Sequence, residues 1–338
     1  MNLKMIWMLP AMLILFGCND EPSSEEPSSY ETMGTIEVMD ERLNEILNAD
    51  ARPEIIGEGF SWSEGPVWVE EHGFLLFSDV PENTIYKWTE EEGVTEYLEP
   101  SGYTGTSGRG GEIGSNGLII SNDGRLILCQ HGDRRIAEMD APLDQPESEF
   151  ITKADRYDGN RFHSPNDVIQ HSDGSIYFTD PPYGLEGYVD DPSRELDFHG
   201  VFRIAPDGEV ELLTDELTRP NGLAFSPDES LLYVANSDGS RALWMVYDVR
   251  DDGGIENGRV FYDATDRVGD APGLPDGMKV HSNGTIFATG PGGLWIFSPE
   301  GTPLGQVQTG EFISNGAFNG DESVFYMTAD SYLLRLQL

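Results

Sequence analysis

One phrase recurs six times along the chain, and repetition at a near-constant interval constrains a fold more tightly than any local propensity. The copies are "SEGPVWVEEHGFLLFSD" from Ser63, "SNGLIISNDGRLILCQH" from Ser115, "PNDVIQHSDGSIYFTD" from Pro165, "PNGLAFSPDESLLYVAN" from Pro220, "PDGMKVHSNGTIFATG" from Pro275 and "SNGAFNGDESVFYMTAD" from Ser314. Each runs through a short alternating stretch, a turn rich in Asp, Asn and Gly, and a second stretch rich in β-branched and aromatic residues. That order is the signature of a tight antiparallel hairpin. With Glu64, Asn116, Asn166, Asn221, Asp276 and Asn315 taken as equivalent, successive copies lie 52, 50, 55, 55 and 39 residues apart. Those intervals are near the period of a four-stranded propeller blade.

Segments immediately after the hairpins supply two more strands: "IYKWTEEEGVTEYL", "VFRIAPDGEVELLT" and "LWIFSPEGTPLGQVQT" each read as strand, turn, strand. The last copy ends one strand short, at "YLLRLQL", and "PEIIGEG" from Pro53 to Gly59 stands ahead of the first copy to provide it. A solenoid or sandwich of six units would not need such complementary ends. The predicted fold class is therefore all-β: one six-bladed β-propeller of four-stranded antiparallel blades over residues 51–338, its ring closed by an N-terminal strand. A short amphipathic helix is expected over residues 36–50, in "EVMDERLNEILN".

In a propeller the first strand of every blade lines the central channel, so equivalent positions converge at one level. Here that level holds Glu64, Asn116, Asn166, Asn221, Asp276 and Asn315, two carboxylates among six polar side chains. Carboxylates so placed repel unless they are protonated or bridged by a cation. An oxygen-only ring suits a hard cation, and its flexibility favours Ca²⁺ over the strictly octahedral Mg²⁺, with another divalent cation as the alternative. Asn and Gly at a strand start are also ordinary turn formers. Turn chemistry does not account for Glu64, a poor turn residue.

Sixty-one acidic residues against 20 basic ones leave a formal charge of −41. Such a surface repels nucleic acid and anionic membrane, so neither is an expected partner. After Lys4 the apolar run "MIWMLPAMLILFGC" is too short for a permanent membrane span and reads as an export signal over residues 1–17. Its "LFGC" ending is similar to a bacterial lipoprotein signal, in which Cys18 would carry the lipid. Residues 18–35, rich in Ser, Pro and Glu, read as a flexible tether. The expected location is then outside the cytoplasm, periplasmic or at the cell surface, with membrane contact only through the anchor. Cys129 is left alone, and no intrachain disulfide is expected; within "RLILCQ" it reads as a small buried hydrophobe.

Four phrases in combination, "EGPVW" at Glu64, "SPNDVIQHSDGSIYFTDPPYG" at Ser164, "RPNGLAFSPDE" at Arg219 and "LPDGMKV" at Leu274, resemble the calcium-dependent lactonase propellers. That family includes senescence marker protein (regucalcin), gluconolactonase and the luciferin-regenerating enzyme, and the second phrase is similar above all to bacterial gluconolactonases. The resemblance implies one catalytic Ca²⁺ held by Glu64, Asn166, Asn221 and Asp276, with Asp276 as general base or, alternatively, nucleophile. It implies a small lactone as substrate, its carbonyl polarised by the cation while water attacks. Where animal members carry an Arg two residues before Asn166, this chain has Ser164, a departure that bears on sugar specificity and not on the ligand set.

Around the channel mouth the second hairpin strands end at Asp79, His131, Asp180 and Asn236. His131, His163 and Asp180 are the expected substrate-binding residues, with packing or turn roles as the alternative for each. The loops 102–112 and 181–200 are long enough to act as lids. Three functions are compatible with this pattern: a sugar lactonase, a hydrolase of other lactones or organophosphates at the same centre, or a non-catalytic binding propeller tied by calcium. Fold alone does not choose among them.

Overall fold

The computed structural model describes residues 30–338; the expected export signal, Cys18 and residues 19–29 of the expected tether lie outside the described residues. Among the described residues six antiparallel sheets of four or five strands succeed one another, with one small separate hairpin, Arg156–Tyr157 paired with Asn160–Arg161. Their first strands are Ser63–Val69, Ser115–Ile120, Val168–Gln170, Pro220–Phe225, Met278–Val280 and Ile313–Phe318. Each is the free edge of its sheet, and each touches the next in chain order, the sixth returning to the first. That circuit is a six-bladed propeller, with the first strands around its axis.

Period-two alternation explains how the blades stack. In the strand Leu126–Gln130, Leu126 and Leu128 pack against the first blade, while Ile127 and Cys129 pack against the third. The core is accordingly divided into slabs between neighbouring sheets, such as Tyr177 and Val201 against Leu223 and Leu232. Cys129 is a free, fully buried thiol whose pKa burial pushes up, a packing residue.

Residues after each channel-lining position explain the recurring Gly. A Cβ on Gly65 would lie 2.0 Å from the carbonyl oxygen of Asn116, and one on Gly222 would lie 2.2 Å from that of Asp276. The backbone of the next blade occupies the space a side chain would need. The third blade departs from this pattern, with Asp167 after Asn166.

The N-terminal segments pack onto the last two blades. Glu54–Glu58 pairs antiparallel with Tyr332–Gln337, placing Ile55 opposite Leu334. The helix expected over 36–50 is largely replaced: Thr35–Val38 pairs with Pro303–Gln308 as a fifth strand, and only Glu41–Glu45 is helical, as one 3₁₀ segment. The free edge of Pro303–Gln308 satisfies backbone groups that a helix would satisfy internally. One turn is enough to bring Leu43 and Leu47 into the core, and Asp40 caps it by accepting from the Arg42 amide at 3.0 Å. The stretch read as tether through residue 35 is partly folded, since Thr32 bridges to Glu54.

Candidate active site

The first strands, and for Asn166 and Asp276 the residues just ahead of them, bring five of the six predicted ring positions to one place. Glu64, Asn116, Asn166, Asn221 and Asp276 all line one cavity of about 250 Å³ at the channel mouth. Four of these are almost fully buried, and Asp276 is partly open to the cavity. Asn166 Nδ2 donates to Asn221 Oδ1 at 3.2 Å, and Glu64 Oε2 accepts from the Gly65 amide at 2.8 Å. Three buried oxygens have no protein partner: Asn116 Oδ1, Asn166 Oδ1 and Asp276 Oδ1. Buried oxygens normally find a donor, so this cluster is matched to something that supplies positive charge.

Asn315, the sixth member of the ring, turns to a different task. Its Oδ1 accepts from the Gly316 amide at 2.9 Å and from Lys279 Nζ at 3.1 Å, and its Nδ2 lies 3.5 Å from Asp167 Oδ2. Asp167 is a third carboxylate of the channel, buried and bonded to the Val168 amide at 2.9 Å. The repeat pattern held a signal for it, because Asp167 is the single non-glycine after a ring residue. Burial, and then the charge of Asp167, raise the pKa of Glu64; burial, and then Glu64 and Asp167, raise that of Asp276. Lys279 partly offsets Asp167, whose pKa burial also raises.

The donor set fits a hard divalent cation. Among the described residues no three His, Cys, Asp or Glu side chains form a metal-holding group, so a cation at the ring depends on carboxamide oxygens beside Glu64 and Asp276. Those are ligands suited to Ca²⁺ rather than to a soft metal.

The rim residues separate into two groups. Asp180 is fully buried and accepts from the His163 and Ser164 amides, both at 2.8 Å. Asp79 does the same for Ser61 and Trp62 at 3.0 Å, and Asn236 for Arg219 at 2.8 Å. These strand ends clamp the backbone that leads into Glu64, Asn166 and Asn221. His163 is buried with Nδ1 3.3 Å from Asp180 and Nε2 3.1 Å from the Leu196 carbonyl. His131 is buried beneath Gly184, its Nδ1 3.8 Å from Glu112, and burial drives its pKa down to about 3. None of His131, His163 and Asp180 is among the residues that line this cavity.

The cavity walls come instead from the loops. Glu112, Tyr183 and Tyr188 belong to the two segments whose length predicted lids, and Trp62, Leu274 and Phe312 complete an apolar rim. Burial raises Glu112 to about 7. Loop length located these residues; nothing in the sequence said which of them turn inward.

The architecture is that of a six-bladed propeller with an oxygen-rich ring of Glu, Asn and Asp at its axis. The chain belongs to the SMP-30/gluconolactonase/LRE-like family, whose model matches residues 62–331. It is 39% identical over 318 residues to a gluconolactonase of Zymomonas mobilis, covering 90% of this chain and 86% of that protein. A pentonolactonase of Haloferax volcanii is 27% identical, over 79% of this chain and 81% of its own length. The solved structure of a gluconolactonase from Xanthomonas campestris superimposes with a TM-score of 0.77 at 31% identity, covering 93% of this chain and 99% of that one.

Proposed function

We propose that the protein is a lactonase that opens sugar lactones of the gluconolactone type, dependent on Ca²⁺ held by Glu64, Asn166, Asn221 and Asp276. One observation carries the reading: the unpartnered oxygens of Asn116, Asn166 and Asp276 belong to residues that line one cavity, with Trp62, Leu274, Tyr183 and Phe312 among its other walls. The similarity to gluconolactonases over most of the chain supports the substrate class. A bound divalent cation there supplies charge stabilisation for the oxyanion formed when water adds to the lactone carbonyl.

The chain's own groups do the rest. Asp276 Oδ1, free of protein donors, accepts a proton from the attacking water. Collapse of the tetrahedral adduct breaks the ring carbon–oxygen bond, and Asp276 returns the proton to the departing oxygen, leaving a hydroxy acid. With a cation bound beside it the raised pKa of Asp276 would be brought down, so Asp276 would gain from proximity to the water rather than from basicity. The apolar walls limit competing solvent, and Tyr183, whose hydroxyl lies 3.5 Å from the Ser237 carbonyl, presents a polar edge to substrate hydroxyls.

The test is hydrolysis of D-glucono-1,5-lactone by residues 31–338, followed by pH-stat with added Ca²⁺ and with excess chelator. Loss of turnover on chelation, and in Asp276→Ala with Ca²⁺ present, supports the mechanism. A folded, Ca²⁺-binding protein without turnover on this or other lactones removes the lactonase reading. Export and lipidation at Cys18 belong to the same proposal. Mass spectrometry of the N-terminal peptide from whole cells tests them, with an unmodified, uncleaved Cys18 as the refuting result.

A further inference from the structure

Beside the loops 102–112 and 181–200 lies a second cavity, of about 560 Å³, lined by three arginines: Arg109, Arg134 and Arg161. The whole chain has 20 basic residues, and among the described residues none of these three has a carboxylate partner within ion-pairing distance. Their hydrogen bonds go to neutral carbonyls. Arg109 donates to Gly132 and, at 2.7 Å, to Gly184; Arg134 Nε donates to Phe162 at 2.6 Å and Nη1 to Ser193 at 3.0 Å; Arg161 Nη2 donates to Asp133 at 2.8 Å. Arg134 is 4% exposed and its Nη2 has no partner at all.

Buried cations are costly without a counter-charge, and like charges in one cavity add to that cost. Burial and the charge of Arg161 both work against the ionised forms of Arg109 and Arg134. Two carboxylates also line the cavity, Glu186 and Asp191. Asp191 is engaged elsewhere, accepting from the Gly187 amide at 2.8 Å, the Ser193 amide at 2.8 Å and the Ser193 hydroxyl at 2.6 Å. Three guanidiniums and two carboxylates line the cavity, and the further carboxylates that act on Arg109 and Arg134, namely Asp133, Asp180 and Glu195, stand outside that lining.

We infer that this cavity is a binding site for a small oxyanion, a phosphate, sulfate or sugar-acid carboxylate group. The planar guanidinium fork offers paired donors matched to such groups. The site joins separate parts of the chain: Arg109 stands on the first lid loop, Arg134 after the second strand of the second blade, and Arg161 on the small hairpin leading to Asn166. The segment from Tyr183 to Ser193 has Tyr183 and Tyr188 at the axial cavity and Glu186 and Ser193 at this one. An anion held here braces the wall of the axial site. The assignment does not depend on the lactonase reading.

Isothermal titration calorimetry tests it, on the protein stripped of divalent cations and dialysed, with phosphate, sulfate and gluconate against chloride at matched ionic strength. Saturable binding of at least one oxyanion is expected, absent with chloride. Arg161→Gln weakens it about tenfold, the loss of one charge-assisted fork, and the Arg109→Gln/Arg161→Gln pair abolishes it. Both side chains are partly exposed and bond only carbonyls, and Arg161→Lys, which keeps the charge and loses the fork, serves if the double variant unfolds. Phosphate or sulfate alone points to a tetrahedral anion, and gluconate alone to a sugar-acid carboxylate; either supports the site. No oxyanion binding beyond chloride, or binding unchanged in the variants, overturns it.

Discussion

At the scale of the residue, the channel is a problem of charge. Glu64, Asp167 and Asp276 are held together by a scaffold that gives only Asp167 a nearby cation, Lys279. Removing that cation leaves a buried, uncompensated carboxylate, so Lys279→Met is expected to cost about 3 kcal/mol. Asp167→Asn in the same chain recovers most of it, read from the midpoints of urea denaturation. Glu112 makes a separate prediction at the cavity wall. Its pKa rises from 4.5 to about 7 on folding, so the unfolded chain releases this proton first as pH increases. The stability that the protonated group contributes is full below 4.5 and lost as pH rises through about 7. Glu112→Gln therefore stabilises the chelated protein near pH 8, by up to about 2–3 kcal/mol, and changes little near pH 4. Denaturation curves at the two pH values decide it.

At the scale of the element, the unit is a first strand together with the glycine that lets the next blade approach. Gly222→Ala places a methyl 2.2 Å from the Asp276 carbonyl oxygen and 2.6 Å from Gly277 Cα. Backbone cannot yield as a side-chain tip can, and the expected cost is about 3 kcal/mol or more. Because the displaced residue is Asp276, hydrolysis falls further than stability alone explains. Gly208, with φ +90 and open space around it, is the control: alanine there costs about 1–2 kcal/mol from the left-handed backbone alone. Thermal melts and initial rates measured on both variants separate crowding between blades from ordinary turn strain. Equal effects at the two positions would remove the packing explanation for the recurring Gly.

At the scale of the whole molecule, both ends of the described residues enter the last blades. Deletion through Gly59 strips Glu54–Glu58 from Tyr332–Gln337 and breaks the Glu54–Arg335 pair at 2.7 Å. The exposed strand edge makes that chain aggregate or melt without cooperativity, whereas deletion through Gly34 keeps the sheet intact; light scattering during a melt distinguishes them. The repeat made the six-bladed fold and the shared level of Glu64, Asn116, Asn166, Asn221 and Asp276 legible in the sequence, because covalent spacing dictates which residues share a level once blades close around an axis. Asp167 was not among the expected residues, although it breaks the Gly series of the same pattern. Tertiary structure alone decided the rest. Whether a rim side chain faces the cavity or its own backbone depends on contacts between blades far apart in sequence, so His131, His163 and Asp180 turned inward and Glu112, Tyr183 and Tyr188 took the walls. The same long-range packing brought Arg109, Arg134 and Arg161 into one cavity, and the free edge of Pro303–Gln308 made a strand of residues whose local pattern reads as helix.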